Sequence, residues 1–132
     1  MIDHVSISVR DLEASAHFYE NALQPLGLAK LVATATRVAF GNKYPELWLN
    51  ARPQMAAIDH NTGAHLCLRA RSTEAIDAFH HAALAHGGAD DGAPGLRQAT
   101  MVDYYAAFIR DPDGNRIEVM TVPSSAGSAR TS

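Results

Sequence analysis

The sequence predicts an α+β fold made of two β-α-β-β-β modules that form a curled mixed sheet within one domain. Three observations predict it. Residues 4–27 and 65–88 align without a gap at an offset of 61, with identical pairs His4/His65, Arg10/Arg71, Glu13/Glu74, Ala14/Ala75, Phe18/Phe79, Ala22/Ala83, Leu23/Leu84 and Gly27/Gly88. Such self-similarity is one supersecondary unit used twice. In each copy an alternating apolar stretch runs into one with helical spacing, so a strand leads into a helix. Each helix is then followed by short strand-like stretches separated by turn residues.

The elements follow in order. In His4 to Val9, Val5, Ile7 and Val9 face one way and His4, Ser6 and Ser8 the other, which describes a half-buried strand. Asp11 offers an N-cap, Leu12, Ala16, Tyr19 and Leu23 recur at helical spacing, and Pro25 and Gly27 stop the helix. Leu28 to Thr34, Thr36 to Phe40 and Glu46 to Asn50 read as three strands, with Gly41-Asn42 and Tyr44-Pro45 as breaks. Residues 51–63 form a connector. Leu66, Leu68 and Ala70 then face one way and His65, Cys67 and Arg69 the other, before a helix that starts at Ser72 or Thr73 and ends at Gly87-Gly88. Residues 89–100, rich in Gly, Pro and Asp, read mostly as loop. Met101 to Arg110 is a strand, residues 111–115 are a tight turn that accounts for Asp111 and Asp113 as turn formers, and Arg116 to Val122 is the closing strand. Module one spans residues 1–52, module two 62–123, and the Ser/Ala/Gly/Thr-rich residues 124–132 are a disordered tail.

Composition narrows the function. The 132 residues suffice for one core, and a net charge of −3 without a basic stripe excludes a general nucleic-acid binder. The single cysteine allows no internal disulfide, which suits a reducing cytoplasm. No apolar run is long enough to cross a membrane, and the N-terminus carries no signal-peptide pattern.

The chemistry lies on the faces opposite the aliphatic residues. His4, His65 and Glu118 share strand parity, and two imidazoles with one carboxylate can hold a divalent metal with open positions. Trp48 suits a pocket wall, Arg69 an anion contact, and Tyr105, of the Tyr104/Tyr105 pair, a hydrogen-bonding wall. Glu46 is the one carboxylate on the last strand of module one. It suits either a fourth ligand or a base, with an exposed acid beside Pro45 as the plain alternative. His17, His80, His81 and His86 lie on or just beyond the helices and read as surface residues. Cys67 reads as a small filler on a buried strand.

The stretches DHVSISVRDLEASAHFYENAL, AHLCLRA and, most specifically, RDPDGNRIEV resemble the glyoxalase / bleomycin-resistance / extradiol-dioxygenase superfamily, also called vicinal oxygen chelate. The resemblance covers all but the tail and parts of the loops. It implies paired βαβββ half-barrels, metal ligands at His4, His65 and Glu118, and a homodimer with shared sites. It further implies a fourth ligand on the strand of Glu46. The implied activity is that of a lyase or isomerase using Zn, Ni, Mn or Fe(II) on a small organic substrate. Two alternatives stand beside it: metal-independent binding of a drug or other small molecule, and Fe(II) dioxygenation. A glutathione adduct is disfavoured by the lack of a basic cluster, and a phosphonate by Arg69 being the one cation expected in the cavity.

Overall fold

Val5 to Val9 forms β1, and Asp11 caps α1 (Leu12–Leu23) by accepting a hydrogen bond from the Ala14 amide. A short turn at Gln24–Leu26, with Pro25 inside it, leads to β2 (Ala29–Ala33), β3 (Arg37–Gly41) and β4 (Leu47–Ala51). The second unit repeats the order: β5 (Leu66–Arg69), α2 (Thr73–Ala85) capped by Ser72, β6 (Ala89–Arg97), β7 (Tyr104–Arg110) and β8 (Arg116–Thr121). This is a computed structural model, and it describes residues 1–123. The tail expected at 124–132 lies outside the described residues.

Each unit is a four-stranded mixed sheet, ordered β1-β4-β3-β2 and β5-β8-β7-β6. The β1–β4 and β5–β8 pairs are parallel and the others antiparallel. The α+β fold of two βαβββ units is therefore as the sequence predicts, with one correction. Residues 89–100 are not mostly loop, because β6 takes up Ala89–Arg97. Its Gly, Pro and Asp content disguises a strand that pairs with β7 through two register shifts, at Asp90/Gly92 and Gly92/Gly95. Such interruptions, and a proline at position 94, are tolerated at a sheet edge.

Both helices cover one face of their own sheets and pack against each other, and the covered faces share a single core. Phe18, Tyr19, Phe40, Ile76, Phe79, Ile109 and Ile117 are all fully buried in it. Each large apolar side chain buried this way is worth about 1.5–3 kcal/mol. An exposed ion pair such as Lys30–Glu20, at 3.0 Å, belongs to a class worth about 0–1 kcal/mol, so the shared core dominates. Because both covered faces belong to that core, both open faces are turned away from it.

The turn at residues 111–115 does more than reverse the chain. Asp111 and Asp113 are buried. Asp111 Oδ2 accepts from the Tyr19 hydroxyl at 2.6 Å, and Asp113 Oδ1 accepts from Arg10 Nε at 2.8 Å. Asn115 Nδ2 donates to the Ser8 carbonyl at 3.0 Å. Tyr19, Arg10 and Ser8 all belong to the first unit, so the turn fastens the two units together.

Candidate functional site

Strand pairing decides which side chains share an open face. In the second unit Glu118 pairs with Cys67 on one side and Phe108 on the other. His65 precedes β5 by one residue and shares Cys67's parity. The result is a cluster: His65 Nε2 lies 3.0 Å from Glu118 Oε1, and the His65 ring meets Phe108 edge-on at 5.7 Å. Arg116 lies over Phe108 at 4.1 Å and its Nε donates to Asp91 at 2.6 Å. Glu118 is buried, with only 7% of its surface exposed.

The hydrogen bonds of the two histidines constrain their protons. His65 Nδ1 sits 3.1 Å from the Gly63 carbonyl, and His4 Nδ1 sits 2.7 Å from Asp3 Oδ2. A carbonyl only accepts, so the proton of His65 is on Nδ1. Its Nε2 faces the Glu118 carboxylate, and that contact is attractive either with a second proton on the ring or with a metal cation between the two atoms. Nδ1 bound to an acceptor and Nε2 left as donor atom is the arrangement that metal-ligating histidines adopt. Two donors each about 2.1 Å from one ion stand about 3.0 Å apart at a right angle and about 3.4 Å apart at the tetrahedral angle. The 3.0 Å separation falls within that range.

The donor chemistry thus fits a divalent metal, but one chain does not assemble all three residues. Among the described residues no group of three or more His, Cys, Asp or Glu side chains could hold a metal ion. His65 and Glu118 are together. His4 is apart from them, on the open face of the first unit, half-exposed in a cavity with Ser6, Arg37 and Trp48. A cleft of about 230 Å³ does bring β1, through Ser6, alongside His65.

The remaining expectations divide. Trp48 lines the cavity that holds His4. Arg69 is exposed on the open face of the second sheet. Tyr105 is not on that face: its hydroxyl donates to Asp77 of α2 at 2.6 Å, and its ring packs on the core. Tyr104 has the parity of Phe108 and is the open-face residue of the pair. Cys67 is exposed rather than a filler on a buried strand. Partial desolvation, then the Glu118 carboxylate, push its thiol up to about 12.

Glu46 is also displaced from the role of fourth ligand. The repeat aligns Val5 with Leu66, and these pair with Leu47 and Ile117 respectively. Leu47 therefore corresponds to Ile117, and Trp48, not Glu46, corresponds to Glu118. Glu46 is exposed just ahead of β4, where its carbonyl accepts from the Val5 amide at 2.8 Å. The sequence left out Arg37, whose guanidinium lies 4.9 Å over the Trp48 ring. Its signal was present, since on β3 it alternates with the buried Val38 and Phe40.

Paired βαβββ modules with a histidine leading each define a class of protein. The model of the Glyoxalase/Bleomycin resistance protein/Dioxygenase superfamily matches residues 1–119, and the chain belongs to that family. A glyoxalase/bleomycin resistance protein from Albidiferax ferrireducens T118 is similar at 35% identity and a TM-score of 0.81, over 91% of this chain and 98% of that one. A family enzyme from Burkholderia phytofirmans PsJN shares the fold at 20% identity and a TM-score of 0.68, covering 91% and 97%. So does the fosfomycin resistance protein FosX of Listeria monocytogenes, solved with Mn(II) and 1S,2S-dihydroxypropylphosphonic acid, at 14% identity and a TM-score of 0.69, covering 100% and 98%. No curated protein matches the sequence. Among the described residues no helix is long and apolar enough to cross a membrane.

Proposed function

We propose that the chain is a metal-dependent enzyme of the lyase or isomerase type, acting on a small organic substrate through two adjacent oxygens. Its protein ligands are His4, His65 and Glu118. The observation that carries the reading is the His65–Glu118 contact at 3.0 Å, where an imidazole nitrogen meets a buried carboxylate at a separation that suits two donors on one ion; a second proton on the ring would also join the pair, and metal content tells the two apart. Support for the third ligand is chemical: His4 has its Nδ1 bound to Asp3, as His65 has its Nδ1 bound to Gly63. The open faces of one chain turn away from their common core, so the site is completed between two copies. One copy gives His4 and the other His65 and Glu118.

A divalent ion held by three ligands supplies Lewis acidity at its open positions. The chain's own residues do the rest. Asp3 and the Gly63 carbonyl hold the two imidazoles in the ligating tautomer. Trp48 fills the place of a fourth ligand and leaves room for substrate oxygens. Glu46, at the rim of the same face, accepts the proton from the substrate carbon. Arg69 offers a cation on the opposite sheet.

The test is metal content. Protein purified without chelator and supplied in turn with Zn, Ni, Mn and Fe(II) should hold about one ion per chain, and His65→Ala and Glu118→Gln should each lose it. Wild-type protein that holds none of the four would overturn the reading and favour metal-independent binding. Glu46→Gln should keep the metal and lose turnover by about 10²-fold or more.

A further inference from the structure

We propose that the open face of the first unit is the substrate-recognition half of the site, with Arg37 on Trp48 binding the carboxylate of a monoanionic organic substrate. The inference rests on the reading that this face and the metal ligands serve one site. It starts from how the two units have diverged. Trp48 corresponds to Glu118, and Arg37 corresponds to Ala106, because Arg37 pairs with Asn50 where Ala106 pairs with Met120. Where the second unit keeps a carboxylate beside its histidine, the first carries an indole with a guanidinium over it. The metal donors and the recognition groups have gone to different copies of the repeat.

The cavity is of the right kind. It measures about 380 Å³ and is lined by Asp3, His4, Ser6, Arg37, Tyr44 and Trp48, among others. That is the low end of the range for small-molecule sites. His4 is in its wall, so a substrate held here lies beside a proposed ligand. Arg37 is the one permanent cation among the lining residues. Arg10, Arg110 and Arg116 are all paired with carboxylates, whereas the Arg37 guanidinium has no carboxylate partner among the described residues. A guanidinium held over an aromatic face keeps N–H donors to offer, and two of them match a carboxylate side by side.

The charge inventory selects the anion. The only carboxylate of the lining, Asp3, is engaged by His4 at 2.7 Å. Apart from the ion that His4 would help to hold, a doubly charged phosphate or phosphonate would meet one guanidinium, the Asp3 carboxylate and, at the rim, that of Glu46. A single carboxylate needs only Arg37, and its carbon skeleton can rest against Trp48 and Tyr44.

Trp48 is the only tryptophan of the chain, so its fluorescence reports on this cavity alone. Benzoate, and its neutral counterpart benzamide, are titrated into wild-type protein and into Arg37→Met, which keeps an apolar stem over the indole. Metal content of both proteins is measured in parallel. The expected result is saturable binding of benzoate, about tenfold or more tighter than benzamide, with that preference lost in Arg37→Met and the metal content of the two proteins equal. Equal affinity for the two probes, no response to either, or an unchanged preference in Arg37→Met overturns the proposal. Benzoate binding that depends on Arg37 in protein that takes up no metal leaves the anion site standing and contradicts the metal reading instead.

Discussion

At the scale of single residues, the most telling group is Asp111. Its two oxygens accept from the Tyr19 hydroxyl, the Asn115 amide group and the backbone N–H groups of Asp113 and Asn115. Even so, burial raises its carboxyl above the usual range, and the Tyr19 hydroxyl is the first of the bonds that pull it back down. With the folded-state value raised, the stability linked to this group is full below the unfolded value and is lost as pH rises through the folded one. Tyr19→Phe removes a lowering contact and deepens that loss. It should cost about 1.5–3 kcal/mol at neutral pH and less below about pH 4, read as a gap in melting temperature from wild type that widens with pH. A gap independent of pH would detach Tyr19 from Asp111. The sequence showed Asp111 only as a turn former, because nothing in local spacing tells that α1 will lie against it. Tyr105 was misplaced for a related reason. In a Tyr-Tyr pair on a strand the parity is legible, but which face holds the helix is decided by pairing at a distance.

At the scale of elements, the repeat Gly27/Gly88 uses one residue type for two purposes. Gly27 ends the turn after α1 with φ 78°, and a side chain there would meet nothing within 4 Å. Gly88 has no positive φ, but a Cβ there would lie 2.8 Å from Phe18 Cε1 and 2.9 Å from the Ala83 carbonyl. Gly27→Ala should cost about 1–2 kcal/mol and Gly27→Asn less, since Asn tolerates the left-handed region. Gly88→Ala should cost about 1–3 kcal/mol and Gly88→Asn at least as much, as measured by chemical denaturation. Rescue by Asn at both positions would contradict the distinction. Helices and inner strands were legible because caps and periodicity are local: Asp11 and Ser72 both cap as their positions imply. β6 was not legible, because an edge strand interrupted at Gly92 and Gly95 has the composition of a loop.

At the scale of the whole molecule, the repeat made the fold legible and left the site half-read. Its gapless alignment picked out both histidines as candidates, and parity added Glu118 to them. What the alignment could not give was the direction in which the two open faces look, which depends on α1 and α2 packing into one core. Pairing of β5 with β8 puts His65 and Glu118 together, while the packing leaves His4 on the other open face, and this underlies the proposal that two copies complete each site. Complementation tests this most directly. His4→Ala and His65→Ala chains, co-expressed with different tags and purified through both, form mixed pairs in which one site of two is intact if ligands are shared between copies. The expected result is about one ion per mixed pair, half the wild-type content, with either variant alone holding almost none. Mixed pairs that hold no metal, or a His4→Ala protein that keeps its full content, would contradict a site built from His4 of one copy and His65 and Glu118 of the other.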